Sequence, residues 1–371
     1  MKQYIVGGFV RDTLMGKVPK DKDFVVIGAT PQEMLDAGYK QVGADFPVFL
    51  KDGCEYALAR KDRKSGNGYK GFVTEFDPSI TLEDDCIRRD LTINSIAMDE
   101  DTGAIIDLYG GVEDIKNKIL RHTSSAFSED PLRVLRVARF AARYPDFSIH
   151  PDTLDLMKSL VAADELKWLS TERIYLEFEK AFAESNCIRF IDVLLEIGAL
   201  HKIDQAFAEH LEREKNSSSW EMYTQIFSNL TTSKHRLAWI LHVMYPVHIQ
   251  EFCKKLRVPN EIRDLALHSV NFVLTVLCSK TPNVAGRMYV KLFDELNVTQ
   301  SDKIFDELLT LHFEADAIST GWLEKSKHLK DVYKSFTYAS LTHEQQVQLK
   351  GREIKKFIFD KRVELINQVI R

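Results

Sequence analysis

Cysteine is scarce in this sequence, and its placement excludes a disulfide or zinc scaffold. The five residues, Cys54, Cys86, Cys187, Cys253 and Cys278, are scattered, odd in number and never spaced as CxxC. They read as free thiols in a reducing compartment. Long apolar runs are also missing: no stretch nears the roughly eighteen residues of a membrane span. The start, Met1-Lys2-Gln3-Tyr4-Ile5-Val6-Gly7-Gly8, lacks the apolar stretch of a secretory leader and reads as a strand entering a turn. A cytoplasmic protein without membrane contact or disulfides is the expectation. Positive charge is not in excess either, the formal net charge being −5. That removes a uniformly basic chain, but nucleic-acid binding needs only one basic face. The Gly7-Gly8 turn has neither the GxGxxG nor the Walker spacing, so it supports neither a dinucleotide-binding fold nor a P-loop.

What is present divides into two textures. Short apolar runs separated by turn signals fill the first part: Ile5-Val6, Phe24-Val25-Val26-Ile27, Pro47-Val48-Phe49-Leu50, Tyr56-Ala57-Leu58-Ala59 and Ala104-Ile105-Ile106 read as strands. Residues 31–37 read as a short helix, with Thr30 as N-cap and Pro31 at the first helical position. From Glu129 onward the period is helical, with starts at Glu129-Asp130-Pro131-Leu132 and Ser170-Thr171-Glu172-Arg173. Only Glu214 to Ser219 resembles a linker, and no repeat is visible. The expected class is α+β, a head with a small mixed sheet followed by helices alone. Basic segments lie at Arg60 to Lys70, which holds five cations (Arg60, Lys61, Arg63, Lys64 and Lys70) against Asp62, and at Lys325 to Lys334 and Lys350 to Lys356.

Four segments carry chemistry. In Gly7-Gly8-Phe9-Val10-Arg11-Asp12, glycines between strand and helix let a ligand approach the backbone, and free N–H groups there suit phosphate. Arg11 would add a charged fork. Alone, this is equally an ordinary strand–helix turn. In Lys20-Asp21-Lys22-Asp23-Phe24, carboxylates two apart on a strand share a face. Asp21 and Asp23 beside phosphate donors would hold two Mg²⁺ ions for in-line displacement at phosphorus, whereas alone they would be a solvated pair. The order double-glycine turn, helix, Asp-x-Asp at the second strand is the layout of a polymerase-β-like nucleotidyltransferase. In Arg88-Arg89-Asp90-Leu91-Thr92-Ile93-Asn94, arginines suit triphosphate, and Asp90 with Asn94 suits sugar hydroxyls; a salt-bridged surface cluster is the alternative. Lastly, Arg133, Arg136, Arg139 and Arg143 fall within an arc of about 120° at about 100° per residue, with Asp130 beside them. Such a stripe is commonly a wet helix face. With so little acid nearby in sequence, these guanidinium groups are expected to seek an anionic partner.

In this order the segments resemble the class II tRNA nucleotidyltransferases, the bacterial CCA-adding enzymes and their poly(A) polymerase relatives. GGFVRD with DKD is similar to that family's catalytic motif, RRDLTIN to its ribose motif and EDPLR to its nucleotide-template motif. Asp107-Leu108-Tyr109-Gly110-Gly111, Asp114 and Leu120-Arg121 are similar to the link between head and neck, and Ser170 to Glu177 to the last, helix-stabilising motif. The resemblance implies a catalytic head over 1–122, a neck over 123–200 and a helical body and tail over 201–371. It implies Gly8, Arg11, Asp21, Asp23, Arg89, Asp130, Arg133, Arg136 and Arg139 as nucleotide and metal residues, Mg²⁺ as cofactor, CTP and ATP as substrates, and tRNA as partner. Residues 60–74 occupy the place of the loop tied to the switch from C to A, which favours full CCA addition. A poly(A) polymerase, an A-only or CC-only enzyme, or an inactive RNA-binding protein are the rivals.

Two further expectations follow. Cytosine and adenine both present an amino donor beside a ring-nitrogen acceptor, so Asp130, which only accepts, and Arg133, which only donates, would together read C and A and reject U and G. In long bacterial members of the family an HD-type phosphohydrolase domain follows. Here His242 stands where its histidine would be, but Val243 replaces the aspartate and no adjacent His-Asp pair occurs. The second half is therefore expected to be a degenerate, tRNA-binding body without hydrolase activity, with His242 a core residue.

Overall fold

The computed structural model of the chain describes residues 1–43, 48–64, 72–218, 220–242, 244–278, 282–315, 322–337 and 350–370. Pro47, Lys70, Ser219 and Val243 therefore lie outside the described residues, as do the side chains of Arg63, Lys64 and Cys278. The chain forms two compact units, Met1–Ala208 and Glu209–Arg371.

The first unit is organised by a seven-stranded mixed sheet. Its strands in chain order are β1 (Lys2–Val6), β2 (Asp23–Ile27), β3 (Lys40–Val42), β4 (Val48–Lys51) and β5 (Cys54–Leu58), then, after the separate pair β6 (Lys61–Lys64) and β7 (Phe72–Glu75), β8 (Ala97–Asp99) and β9 (Ile105–Ile106). The spatial order is β3-β4-β5-β2-β1-β8-β9, and only β2 and β5 run parallel. Alternate residues of β1 enter different cores: Ile5 packs with Val10, Phe24, Val26, Met34 and Phe49, while Tyr4 and Val6 pack with Val25, Ile80 and Ala97. Because both faces are covered, the central strands read as unbroken apolar runs. Phe24 and Tyr56, paired in register, stack at 4.4 Å.

Two helices sit beside the first strands. Helix α1 (Gly8–Leu14) follows β1, and α2 (Pro31–Asp36) opens on a capping box between Thr30 and Glu33, as its sequence signals. The short α3 (Leu82–Ile87) and α4 (Gly111–Asn117) follow. The expected strands are found where described, whereas β3, β8 and the β6–β7 pair were not legible. The segment read as a loop over 60–74 instead contains this antiparallel pair, in register from Lys61↔Glu75 to Lys64↔Phe72. The unit continues as helices α5 (Leu132–Arg143), α6 (Pro151–Ala162), α7 (Thr171–Phe182) and α8 (Cys187–Glu196). One exception to the helical texture is Ser148–Ile149, which pairs in parallel with Ile119–Leu120.

Every described element of the second unit is helical. Its core is aromatic: Phe293 lies 5.3 Å from Phe305 and 5.1 Å from Phe336, ring centre to ring centre. Among the described residues, no helix is long and apolar enough to cross a membrane. The described cysteines, Cys54, Cys86, Cys187 and Cys253, are free thiols.

Candidate active site

The sheet brings three acids and a glycine turn to one end. Val6, the last residue of β1, pairs with Asp23, the first of β2, and Asp23 pairs in turn with Glu55 at the head of β5. The chain leaves β1 through Gly7, whose φ of 71° is a left-handed conformation that favours glycine. A Cβ added at Gly7 would sit 3.4 Å from Arg89 Nη1, and one at Gly8 would sit 3.5 Å from Arg11 Nη2. The turn is thus a bare platform for two guanidinium groups. Beside it lies a cleft of about 810 Å³ lined by Gly8, Phe9, Arg11, Asp12, Lys20, Asp21, Lys22, Asp23, Gly53, Cys54, Glu55 and Arg143.

Asp21 stands just before β2 and Asp23 inside it, so the pair meets in the cleft although only one of them is on the strand. Burial pushes the Asp23 carboxyl up, Glu55 and Asp21 add to this, and Arg89 opposes it. Like charges crowded at a strand's end favour a cation between them. Glu55 was not anticipated: its nearness to Asp23 is a matter of strand register, which a sequence does not display.

The arginine stripe on α5 corrects the expectation that its charge lacks compensation. Arg136 donates from Nε (2.8 Å) and Nη2 (2.7 Å) to Asp90 Oδ2. Arg139 Nε donates to Glu177 on α7 at 2.7 Å, and Arg143 Nη2 to Asp12 on α1 at 3.2 Å. Arg133 serves backbone carbonyls, those of Ala126 (2.6 Å) and Arg88. The anions come from other elements, out of reach of a helical wheel. The helix is buried on most sides, Leu132, Val134, Leu135, Val137, Ala138, Phe140, Ala141 and Ala142 included, so the stripe is no wet face.

A continuous polar chain results. Arg11 gives Nε (2.9 Å) and Nη2 (2.8 Å) to Asp12, and Nη1 (2.6 Å) to Asn94 Oδ1. Asn94 Nδ2 donates to Asp90 Oδ1 at 2.9 Å, as does the Leu91 amide at 2.8 Å. Burial would push the Asp90 carboxyl up, but Arg136, Asn94 and the Leu91 amide outweigh it and hold the group well below the carboxylate range. Of the predicted residues, Gly8, Arg11, Asp21 and Asp23 line the cleft. Asp90, Asn94, Arg136 and Arg139 extend behind Arg11, and Arg89 is held against the turn by Asp85 (Nη2–Oδ2 2.9 Å). Asp130 caps the Leu132 amide (3.1 Å) and pairs with Arg173 (2.8 Å). Asp85 and Asp12 were not singled out in the sequence; Asp12 directly follows Arg11, and Asp85 lies three and four residues before Arg88 and Arg89.

The link segment also acquires a reason. Asp107 accepts the Gly111 and Val112 amides at 2.8 Å each, and Asp114 accepts Thr92 Oγ1 at 2.7 Å and Arg121 Nε at 3.0 Å. A Cβ at Gly111 would sit 2.2 Å from the Thr92 carbonyl oxygen. Glycine therefore lets α4 clamp the segment that bears Asp90 and Asn94.

In the second unit, a cleft of about 800 Å³ is lined by Lys254, Arg257, Arg263, Asp264 and neighbours; its one carboxylate, Asp264, is engaged by Arg263 (2.7 Å). His242 is half-buried; its ring lies 4.2 Å from that of Trp239, and its Nδ1 lies 2.6 Å from the Trp239 carbonyl.

Comparison with known proteins agrees with this geometry. Residues 3–121 match the family described as the Poly A polymerase head domain, and residues 146–209 match the probable RNA and SrmB-binding site of polymerase A. The chain is 41% identical to a CCA-adding enzyme of Coxiella burnetii over 383 residues, which covers 100% of this chain and 96% of that protein. Its fold is similar to that of the Bacillus stearothermophilus CCA-adding enzyme in complex with CTP, with a TM-score of 0.70 and 23% identity over 99% of this chain and 89% of that one. A CCA-adding enzyme in complex with ATP gives a TM-score of 0.66 and 22% identity over 99% and 87%. A double-glycine turn, an aspartate pair and an arginine helix set on this fold, with such identity along the whole length, establish that the chain belongs to the family of the CCA-adding enzymes and poly(A) polymerases.

Proposed function

We propose that this protein is a tRNA nucleotidyltransferase that adds C, C and A to the 3′ end of tRNA from CTP and ATP. The observation that carries the reading is the meeting of Asp21 and Asp23 with Gly8 and Arg11 in one cleft. Turn amides and guanidinium groups suit a triphosphate, while the aspartates suit a hard divalent cation. Among the described residues no three ligands form a closed metal site. Mg²⁺ is commonly held by one or two carboxylates completed by substrate phosphates, so Asp21 and Asp23 fit it. Bound there, Mg²⁺ would activate the attacking hydroxyl and neutralise charge at the phosphate undergoing transfer.

The chain's own residues would do the selecting. Asp130, just before α5, and Arg133, in its first turn, would read the base edge, exchanging Arg173 and the carbonyls for the amino group and ring nitrogen of C or A. Arg89, Arg136 and Arg139 would bind the nucleotide, with Asp90 and Asn94 at the ribose. In this reading 1–122 is the catalytic head, 123–200 the nucleotide-template neck and 201–371 the tRNA-binding body of a cytoplasmic enzyme. Arg60, Arg63, Lys64 and Lys70 would contact the RNA end during the change from C to A. The Coxiella relative's name favours CCA addition over poly(A) synthesis. Incubation with tRNA lacking CCA, Mg²⁺ and single labelled nucleotides tests this. Incorporation of two C residues and then one A is expected; A alone, C alone, a poly(A) tail or no product would each overturn it.

A further inference from the structure

One arginine of the cleft has no part in this scheme. Arg143 closes α5 and lines the cleft together with Gly8, Arg11, Asp21 and Asp23. It is the more open of the two arginines there: its side chain is 33% exposed, against 5% for Arg11. Arg11 is committed through three nitrogens, two to Asp12 and one to Asn94. Arg143 makes one longer contact, Nη2 to Asp12 Oδ2 at 3.2 Å, and among the described residues its Nε and Nη1 take no partner. Two donors of a rigid fork thus remain for a ligand in the cleft.

Asp12 sets this arrangement. Its buried carboxylate accepts Arg11 and the Tyr144 hydroxyl (3.1 Å) on Oδ1, and Arg143 on Oδ2. The Tyr144 ring lies 5.6 Å from the Arg11 guanidinium and 5.5 Å from that of Arg143. One anion therefore holds two like-charged groups side by side on a shared aromatic support. An isolated pair of guanidinium groups would repel, and Asp12 offsets that repulsion without occupying the free donors of Arg143.

We propose that Arg143 is a phosphate-binding residue of this cleft and that Asp12 positions it. The inference rests on the nucleotidyltransferase reading for its assay but not for its chemistry, which is recognition of a phosphate oxyanion. That oxyanion belongs either to the nucleotide's phosphate chain or to the RNA end, and the test separates them. Arg143→Met and Arg143→Lys in the full chain are compared for KM with CTP, ATP and tRNA, for kcat, and for inhibition by pyrophosphate. If the phosphate is the nucleotide's, Arg143→Met raises the nucleotide KM and the pyrophosphate inhibition constant about tenfold, as loss of one charged fork predicts. If it is the RNA's, the KM for tRNA rises by a similar factor and pyrophosphate inhibition stays put. Arg143→Lys recovers most of the loss in either case, because it keeps the charge. All constants within about twofold of the parent, or equal losses in the two variants, would overturn the proposal, since one fork's loss is a tenfold effect. Asp12→Asn should raise the same constants at least as far as Arg143→Met; a smaller effect removes Asp12 from the positioning role. Titration of the variants with inorganic tripolyphosphate reads Arg143 even where the parent protein extends no tRNA, so failure of the enzyme reading and failure of this inference are told apart.

Discussion

Two polar clusters, one in each unit, are handled in opposite ways. In residues 1–208 charge is kept and matched: Arg143, Asp12, Arg11, Asn94, Asp90, Arg136, Glu177 and Arg139 form a chain of nearly alternating sign across α1, α5 and α7. In the Trp239–His312 cluster of residues 209–371 charge is suppressed, although Lys234 and His235 of the same unit pair with Glu307 and Glu314. Burial pulls His242 down to about 4, and burial with His242 as neighbour pulls His312 down to about 3. His312 gives its ring to Phe272 (4.8 Å) and Trp239 (5.6 Å), with Nε2 2.9 Å from Ser269 Oγ. The first network holds its ions matched, whereas the imidazoles beside Trp239 are kept neutral by burial.

The sharpest way to break that contrast is at the acids. Asp21→Asn or Asp23→Asn should lower nucleotide incorporation by about 10³-fold or more, with tRNA affinity changed less than about threefold. A filter-binding titration beside a primer-extension assay checks both, and an active Asp21→Asn protein would sink the mechanism.

Next in size is Gly111→Ala, which forces a methyl onto the Thr92 carbonyl and should cost about 1–3 kcal/mol of stability. Urea denaturation measures it. An unchanged midpoint would mean that α4 does not clamp the segment that bears Asp90 and Asn94.

Asp130→Ala probes whether the matched network also reads bases. It should weaken CTP and ATP use and relax the exclusion of UTP and GTP by about 1–3 kcal/mol per lost base contact. Activity lost with UTP discrimination intact would leave Asp130 only the capping and Arg173 pairing seen here.

A pH dependence sharpens the comparison from the other side. His242 and His312 have folded pKa values below the ordinary 6.5, so the unfolded chain binds more protons between that pH and the folded values. Their contribution is present above pH about 6.5 and is lost on acidification toward pH 4, by at most about 1.4 kcal/mol per pH unit for each group. Denaturation of the parent and of His242→Leu at pH 7 and pH 5 should show a shallower pH loss in the variant. Equal losses would show that these histidines do not set the acid limit.

Much was legible where physics is local. The Thr30–Glu33 cap, the Gly7-Gly8 turn, the apolar strand Phe24 to Ile27 and the start of α5 are written within a few consecutive residues. Edge strands such as Lys40–Val42 were not, because a short polar segment becomes a strand only when a neighbour supplies its hydrogen bonds. The arginine stripe misled for a related reason: Asp12, Asp90 and Glu177 lie far from α5 in sequence, and only folding sets them against Arg143, Arg136 and Arg139.

By itself, then, the sequence determined the kinds of groups available. It supplied a glycine turn without Cβ atoms, an aspartate pair at a strand's start, a helix carrying four arginines and a helical second half with no adjacent His-Asp pair. Tertiary structure alone decided their partners. Parallel pairing of β2 with β5 placed Glu55 beside Asp23, and packing of α1 against α5 put Asp12 between Arg11 and Arg143. The physical reason is range. Backbone preference and capping act over three or four residues, whereas electrostatic compensation and strand register depend on which distant segments the hydrophobic cores bring together.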